Sequence, residues 1–332
     1  MFVIFLDVEV RHLIYLGYLL TAAAVVILSI KASQYIDLLD KHTRLSGAFL
    51  GGVMLSAVTS FPELFTSISA VLLFERPAFS MGNILGSDLF NLMVFSIIVL
   101  FNVKRFVKGR ISKSYRDVTV LVLLLYIFIG AELLDVINVR ILDLSLTSFL
   151  ILLIYIFGAK YLSVAADVNA DEEALGYHAG MTTKLSIKQI GTRFALSALG
   201  IIVFSCLFTY FTEQIAEELD LTQGMAGALL LGIATSLPEA SFTLTLFRMK
   251  NFNIAVGNII GSNLFNMVVL PITDLLSPEY IYVADEKILQ MLLFGCIATP
   301  LFYFLLKYNG RRKVVGICAA GIAVCYAVFL IL

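Results

Sequence analysis

Ten stretches of apolar residues, each long enough to cross a lipid bilayer as a helix, follow one another along this chain. A spanning helix needs roughly 20 such residues. The stretches cover approximately 12–30, 45–73, 79–101, 118–137, 144–161, 189–211, 222–248, 252–274, 284–306 and 313–332. Lipid offers no hydrogen-bond partner to an exposed backbone, so repeated stretches of this length favour helices. We therefore predict an all-α integral membrane protein with ten transmembrane helices.

The composition excludes an ordinary soluble domain. Charged residues make up 14% of the chain and hydrophobic residues 60%, whereas soluble domains carry about 25% charged residues. The formal net charge of −1 gives no reason to expect nucleic acid as a partner. The four cysteines lie in apolar stretches without metal-binding spacing, which predicts neither a metal cluster nor a disulfide framework. The first ten residues lack a basic segment, so we expect no cleavable signal peptide.

Basic residues are concentrated in alternate connections between the predicted helices. This arrangement places all but four of the 23 lysines and arginines on one side of the membrane. The exceptions are Arg11, Arg76, Arg140 and Lys287. Basic residues in short loops remain in the cytoplasm, so both termini are predicted outside. We expect a multi-pass protein of the plasma (inner) membrane with no obligate protein partner.

One long polar connection divides the chain into two sets of five predicted helices. The predicted organisation is a first five-helix repeat at 1–161, a cytoplasmic linker at 162–188 and a second five-helix repeat at 189–332. Each half has an odd number of spans, so the second half starts from the opposite side of the membrane. Homologous halves in this arrangement must be inverted relative to each other. The acidic run at 167–173 is interpreted as a solvated loop.

Two polar motifs occur once in each half, in the same order. Thr-Ser-x-Pro-Glu ends at Glu63 and again at Glu239, 176 residues later. A second motif runs from 81 to 91 and from 256 to 266, with eight of eleven positions identical. Two strings that recur in order, in spans two and three and again in seven and eight, indicate an internal repeat.

The first motif combines an acidic residue with a helix breaker inside a predicted span. A glutamate at this depth is expensive and indicates a functional site. Proline removes a backbone N–H and frees carbonyl oxygens just before it. The neighbouring hydroxyl groups belong to Thr59, Ser60, Thr235 and Ser236. An all-oxygen set of this kind suits hard cations such as calcium or sodium. A single glutamate could instead be protonated and serve helix packing, but two at equivalent positions favour a cation site.

The second motif places a serine and an asparagine four residues apart, on one helix face. These pairs are Ser87 with Asn91 and Ser262 with Asn266. Both pairs can line the same cavity, although the asparagines could instead hydrogen-bond between helices. Glycines recur at every fourth position, at Gly82, Gly86, Gly257 and Gly261. That spacing favours close helix packing.

Five further carboxylates are not assigned to the predicted site. Asp88 has Asn263 at the equivalent position, and it could line the access path or face water. The others lie near predicted span ends and are interpreted as interfacial. They are Glu132, Asp135, Asp143 and Asp274.

The paired motifs resemble the alpha-repeats of the cation/calcium exchanger superfamily, in its prokaryotic-type sodium/calcium exchanger branch. The resemblance covers the ten-span layout, and its specific motifs occupy roughly 52–91 and 228–266. It implies that Glu63 and Glu239 are the shared carboxylate ligands of adjacent sodium and calcium sites. It implies further ligand oxygens from Thr59, Ser60, Thr235, Ser236, Ser87, Ser262, Asn91 and Asn266, and backbone carbonyls near Ser56 and Gly232.

The sequence departs from the family pattern at a few positions. Val58 precedes Thr-Ser where the family usually has glycine, and Asp88 stands where asparagine is common. Asn91 and Asn266 are both neutral, although some relatives carry aspartate at one of these positions. The predicted core therefore holds two negative charges. These balance one divalent ion or two monovalent ions, but not both together.

The resulting functional prediction is sodium/calcium antiport by alternating access, with spans one and six moving across the site. The transported ions are Ca²⁺ and Na⁺, and no cofactor is expected. A calcium/proton or potassium-dependent antiporter is the nearest alternative. A passive channel or an intramembrane enzyme could also use paired acids. The two-half design disfavours a channel, and the three histidines near span ends or in loops disfavour an enzyme.

Overall fold

The structure is a computed structural model, and it describes residues 2–43, 55–137, 139–141, 144–167, 185–250 and 252–332. The described part of the first half contains six helices and one short hairpin. These are α1 (Phe2–Thr43), α2 (Leu55–Thr59), α3 (Phe61–Leu72), α4 (Pro77–Phe106), α5 (Ser114–Leu133), β1 (Arg140–Ile141), β2 (Leu144–Ser145) and α6 (Leu146–Asp167). Strands β1 and β2 are antiparallel.

The second half follows the same order. Its elements are α7 (Ile187–Glu218), α8 (Gln223–Ala226), a π-helical segment (Gly227–Gly232), α9 (Ile233–Thr235), α10 (Leu237–Arg248), α11 (Phe252–Leu276), α12 (Glu286–Lys307) and α13 (Arg312–Ile331). The short segments α8 to α10 with the π-helix between them correspond to α2 and α3. Long helices α4 and α11, which carry the second motif, also correspond.

Each of the ten predicted spans overlaps a helix in the described residues, but the count of ten stays a prediction. By length and composition, six helices in the described part of the chain can cross a membrane, or seven if α8 to α10 form one bent span. Two predicted spans, 12–30 and 144–161, end too early: α1 continues to Thr43 and α6 continues to Asp167. Neither helix contains a proline, so nothing in the sequence ends them where the apolar stretch ends. Predicted features at 44–54, Asp143 and 168–184 lie outside the described residues.

Helices α4 and α11 form the centre of the molecule. In their most apolar stretches 72% and 78% of the residues are buried, compared with 17% in α1 and 28% in α7. Helices α12 and α13 pack on α4, while α6 packs on α11. Helix α1 packs most extensively along α7. The two helices that carry the repeated Ser and Asn residues are therefore enclosed, and the α1–α7 pair lies at the periphery.

Glycines allow α4 to lie directly against the backbone of the π-helical segment. A Cβ atom added at Gly86 would lie 2.6 Å from Ala228 Cα, and one added at Gly227 would lie 2.9 Å from the Asn83 amide nitrogen. Gly82 faces the Gly224 carbonyl in the same way. The predicted packing role is thus confirmed for Gly82 and Gly86.

Candidate cation-binding site

The two Thr-Ser-x-Pro-Glu motifs fold into matching helix breaks. Ser60 separates α2 from α3 with φ −89° and ψ 13°, and Ser236 separates α9 from α10 with φ −86° and ψ 2°. In the second half the axis bends by 42° at this break. Each glutamate lies in the first turn of the helix that follows, where the helix dipole favours a negative charge. The two breaks therefore place Glu63 and Glu239 at helix N-termini inside the protein.

The two glutamates are held crosswise by serines of the opposite repeat. Ser236 Oγ donates to Glu63 Oε1 at 3.0 Å, and Ser60 Oγ donates to Glu239 Oε1 at 3.2 Å. Both glutamate side chains are fully buried. No basic residue is paired with either carboxylate in the part of the chain that the structure describes. The structure thus brings the two repeats together at one place.

The hydroxyl groups of the first repeat connect to the same place. Thr59 Oγ1 lies 3.2 Å from Ser262 Oγ and donates to the Ser56 carbonyl at 3.0 Å. Ser262 Oγ in turn donates to Glu239 Oε1 at 3.4 Å. All of these side chains are buried. The predicted residues Thr59, Ser60, Ser262 and Ser56 therefore lie together around Glu239.

The equivalent hydroxyls, Thr235 of the second repeat and Ser87 of the first, are arranged around the Gly232 carbonyl. Ser87 Oγ donates to this oxygen at 3.2 Å, and Thr235 Oγ1 approaches it at 3.5 Å. Gly232 ends the π-helical segment, and its carbonyl also accepts from the Ser236 backbone amide at 3.3 Å. Thr235 Oγ1 also donates to Asn83 Oδ1 at 3.3 Å.

Asn91 and Asn266 each bond to the other repeat. The residue that they contact there, Asn263 or Asp88, stands three positions before the final asparagine of the motif. Asn91 Nδ2 donates to Asn263 Oδ1 at 3.0 Å, and Asn266 Nδ2 donates to Asp88 Oδ1 at 2.9 Å. Asn263 Nδ2 donates to the backbone carbonyl of Asp88 at 3.1 Å. These three bonds join α4 to α11 across the centre of the molecule.

Asp88 determines which way both asparagine amides face. Its carboxylate, when ionised, and its carbonyl only accept hydrogen bonds, so Asn266 and Asn263 must each present Nδ2 to it. Because Asn263 Nδ2 already donates to Asp88, Asn263 Oδ1 faces Asn91 and accepts a hydrogen bond from Asn91 Nδ2. The oxygens Asn91 Oδ1 and Asn266 Oδ1 consequently remain buried without a hydrogen-bond partner.

Asp88 is fully buried, so the interpretation that it faces water is wrong. The sequence-based count of two carboxylates in the core must include this third one. The described residues hold no group of three or more His, Cys, Asp or Glu side chains that could share one metal ion. Asp88 is joined to the predicted ligand Asn266 through its Oδ1 atom.

Sequence analysis also missed Asn83 and Asn258, which hold the two glutamate turns in place. Asn83 Nδ2 donates to the Glu63 carbonyl at 3.1 Å, and Asn258 Nδ2 approaches the Glu239 carbonyl at 3.4 Å. Both asparagines also donate to a hydroxyl one turn further along α3 or α10. The signal was present, because this Gly-Asn pair is identical in the two copies of the second motif.

The remaining oxygens can serve a cation. Among the described residues, six buried carboxylate and amide oxygens in this region have no hydrogen-bond partner: Glu63 Oε2, Glu239 Oε2, Asp88 Oδ2, Asn91 Oδ1, Asn258 Oδ1 and Asn266 Oδ1. Burying acceptor and carboxylate oxygens without a partner is costly. Calcium and sodium are bound by carboxylate, amide, hydroxyl and carbonyl oxygens, all of which are present here. The arrangement is therefore suited to binding and releasing a hard cation.

A second buried acidic pair lies at the C-terminal ends of α5 and α11. Asp274 Oδ2 accepts hydrogen bonds from Ser148 Oγ at 2.7 Å and from the backbone amide just before α6. Glu132 accepts from Thr147 Oγ1 at 2.7 Å and from the Tyr280 hydroxyl. Both carboxylates lie near helix ends, as the sequence predicts, and both are buried in the protein. They tie the start of α6 to the ends of α5 and α11.

Comparison with known proteins places this geometry in a family. The family model described as sodium/calcium exchanger protein matches residues 13–164 and 192–332. The sodium/calcium exchanger MaX1 of Methanosarcina acetivorans is 37% identical over 73 residues, which is 21% of each chain.

Two groups of solved structures share the fold. The sodium-calcium exchanger NCX_Mj, soaked with sodium and strontium, has a TM-score of 0.60 at 21% identity and covers 95% of this chain and 98% of its own. The H⁺/Ca²⁺ exchanger CAX has a TM-score of 0.73 at 14% identity and covers 96% of this chain and 82% of its own. Because the family model matches both halves and each of the two motifs, the chain belongs to the sodium/calcium exchanger protein family.

Proposed function

We propose that this protein exchanges sodium for calcium across the membrane by alternating access. Membership of the family makes it a membrane cation antiporter. The observation that carries the finer proposal is the crosswise pair of buried glutamates. Glu63 and Glu239 each have one oxygen bonded to the opposite repeat and one oxygen without a partner.

Exchange follows from the competition of ions for one set of oxygens. Glu63 and Glu239 are the carboxylates among the proposed ligands, and when both are ionised their two negative charges match one calcium ion or two sodium ions; Asp88, the third buried carboxylate, is bonded to Asn266. Burying an additional uncompensated cation in this enclosed site would be costly. Calcium must therefore leave before sodium fills the site, and the reverse also holds. The ligands assigned are those around the two glutamates: Thr59, Ser60, Thr235, Ser236, Ser87, Ser262, Asn91, Asn266 and the carbonyls of Ser56 and Gly232.

The proposed moving element is the α1–α7 pair. Its helices are less buried than α4 and α11. They bond to the site-bearing helices through hydroxyl groups and, at the start of α4, through the ion pair of Arg76 with Glu213. Ser29 Oγ donates to the Thr59 carbonyl at 3.3 Å, and Tyr18 Oη donates to the Leu230 carbonyl at 2.7 Å. Such contacts can be exchanged for others at low cost as the pair slides. The site would then open alternately to the two sides.

A calcium/proton antiporter is the second candidate. The observation in its favour is the TM-score to the H⁺/Ca²⁺ exchanger, 0.73, which exceeds the 0.60 to NCX_Mj. Carboxylates can carry protons as well as metal ions, so the site chemistry permits this coupling.

The proposed setting is the plasma (inner) membrane, with both termini outside and no cofactor or obligate protein partner. The ten-helix arrangement in two inverted repeats, joined by the 162–188 linker, belongs to the same proposal.

Calcium uptake into sodium-loaded proteoliposomes tests the proposal. The external solution contains radioactive calcium, with sodium replaced by choline, and a parallel sample carries a pH gradient without sodium. We expect uptake that requires the outward sodium gradient. Glu63→Gln and Glu239→Gln each remove one anionic oxygen from the site and should abolish it.

Asp135→Asn is the matched control. Asp135 is exposed and has φ 55°, a conformation that asparagine also tolerates. This variant should transport at the wild-type rate. Uptake driven by the pH gradient alone would show that transport is coupled to protons and not to sodium. Calcium movement without either gradient would contradict exchange.

A further inference from the structure

A groove opens between the end of α4 and the start of α13, away from the cation site. Helix α4 bends at Asn102, where φ is −124° and ψ is 16°, and Asn102 Nδ2 donates to the Ile98 carbonyl at 2.9 Å. The groove encloses about 1160 Å³. It is lined by Leu100, Phe101, Asn102, Val103, Lys104, Arg105, Arg312, Lys313, Gly316, Ile317 and Ala320.

One end of the groove is strongly basic. Lys104 and Arg105 come from α4, Arg312 and Lys313 come from α13, and the lining contains no acidic residue. In the part of the chain that the structure describes, none of these four side chains is in an ion pair. The basic surface continues past Arg105 into a second pocket with three more basic residues: Lys108, Arg110 and Lys250. Like charges this close repel one another, so an anion would stabilise this end of the groove.

The start of α13 adds to the attraction for an anion. The residue before the helix, Arg311, makes no side-chain cap, so no side chain covers the first backbone amides. The helix dipole is positive at this end. Arg312 and Lys313 therefore add their charge where the helix already favours an anion.

The other end of the groove is apolar and faces outward. The side chains of Phe101 and Ile317 are 85% and 71% exposed. A Cβ atom added at Gly316 would meet no atom within 4 Å, so the floor between them is open. Both residues lie within membrane-crossing helices, so this end faces hydrocarbon and the basic end lies toward the helix ends. A soluble anion would use the basic end alone.

We propose that this groove binds an anionic phospholipid. The phosphate of the headgroup contacts Arg105, Arg312 and Lys313, and an acyl chain lies along Phe101 and Ile317 over Gly316. Basic pockets between helices at a membrane surface are suited to anionic headgroups. Charge complementarity selects an anionic lipid over a zwitterionic one, and the adjoining apolar wall selects a lipid over free phosphate.

Native mass spectrometry of the purified protein can measure this binding. The protein is titrated with phosphatidylglycerol and, separately, with phosphatidylcholine of the same chains. We expect tighter binding of phosphatidylglycerol at one site per chain. Because each basic residue near the surface contributes about 1 kcal/mol, Arg312→Gln/Lys313→Gln should weaken it roughly thirtyfold.

Two further variants keep the test specific. Lys188→Gln/Arg193→Gln removes two exposed basic residues from α7 and should leave binding unchanged. Gly316→Leu fills the open floor without changing charge and should also weaken binding of phosphatidylglycerol.

Three outcomes would overturn the proposal. They are equal binding of the two lipids, equal losses in the two charge variants, and displacement of the lipid by inorganic phosphate at its own binding concentration. The last would identify a phosphate site without a lipid. None of these results bears on sodium/calcium exchange, which uses the buried site.

Discussion

At the scale of single residues, the site depends on atoms that only accept hydrogen bonds. Asp88 holds Asn266 through its carboxylate and Asn263 through its carbonyl, and Asn263 then holds Asn91. Asn91 and Asn266 each turn Nδ2 toward an acceptor, so the Oδ1 atoms of both are left without a hydrogen-bond partner. Asp88 thus orients the amide oxygens of Asn91 and Asn266, which can bind the ion, without having to contact the ion itself.

Asp88→Leu should weaken calcium binding by removing the acceptor that orients Asn266. The amide is then free to turn its NH₂ group toward the ion. Loss of an outer partner of a metal ligand typically costs 10–100-fold in affinity, and we expect a rise of about that size in the half-saturating calcium concentration for uptake.

Asp88→Asn is the matched variant for this prediction. Its amide oxygen can still accept from Asn266, so the half-saturating concentration should change much less than in Asp88→Leu. Equal losses in the two variants would mean that the negative charge of Asp88, and not its orienting role, supports binding.

At the residue level, the sequence indicates a site where a polar residue is repeated inside an apolar span. Glu63 and Glu239 were identified in this way, and the structure joins them through Ser236 and Ser60. Asp88 was not assigned because its counterpart is Asn263, so the repeat carries no signal for it. Its role depends on which side chains of α11 face it, and that information exists only in the packed structure.

At the scale of elements, the site depends on helices that lie unusually close. Gly82 and Gly86 of α4 face the backbone of the π-helical segment, so the helix break of the second repeat is positioned directly by α4. Proline predicts the breaks at Ser60 and Ser236. The π-helix could not be predicted, because its sequence is as apolar as an ordinary α-helix and its extra residue per turn depends on packing.

Gly86→Ala should destabilise the protein by about 1–3 kcal/mol, because the added methyl group would overlap Ala228. The melting temperature in detergent measures this effect. Gly191→Ala is the control, since Gly191 lies in α7 and an added Cβ there meets nothing within 4 Å. The control should be neutral or slightly stabilising, as alanine favours helix more than glycine does. Equal melting temperatures for the two variants would contradict the close packing.

Asp274→Ala should lower stability without changing calcium affinity. The substitution leaves the Ser148 hydroxyl and the amide before α6 without their acceptor, which costs about 1–3 kcal/mol. Asp274 lies in the outer acidic pair and not among the proposed ligands. A lower melting temperature with an unchanged half-saturating calcium concentration is expected. A large shift in calcium dependence would place this pair in the transport path.

At the scale of the whole molecule, the two repeats meet at one place, and each bonds to side chains of the other. Serines cross between repeats to the glutamates, and asparagines cross between α4 and α11. The order of elements was predictable from hydropathy and the repeat. Helix ends were not, because α1 and α6 continue past their apolar stretches.

The predicted sidedness can be tested by labelling. In a variant without its four native cysteines, Lys108→Cys between α4 and α5 should react with a membrane-impermeant maleimide only from the cytoplasmic side. Asp135→Cys, after α5, should react only from outside. Reaction of both positions from the same side would contradict the inverted layout and the predicted orientation of the termini.

The most direct test of the central claim is equilibrium binding of radioactive calcium to the purified protein, with and without sodium. We predict one calcium ion per chain, displaced by sodium, and loss of binding in Glu63→Gln and in Glu239→Gln alike, because neither half holds the ion alone. Retention of calcium binding in one of the two variants, or calcium binding that sodium does not displace, would contradict a single shared site.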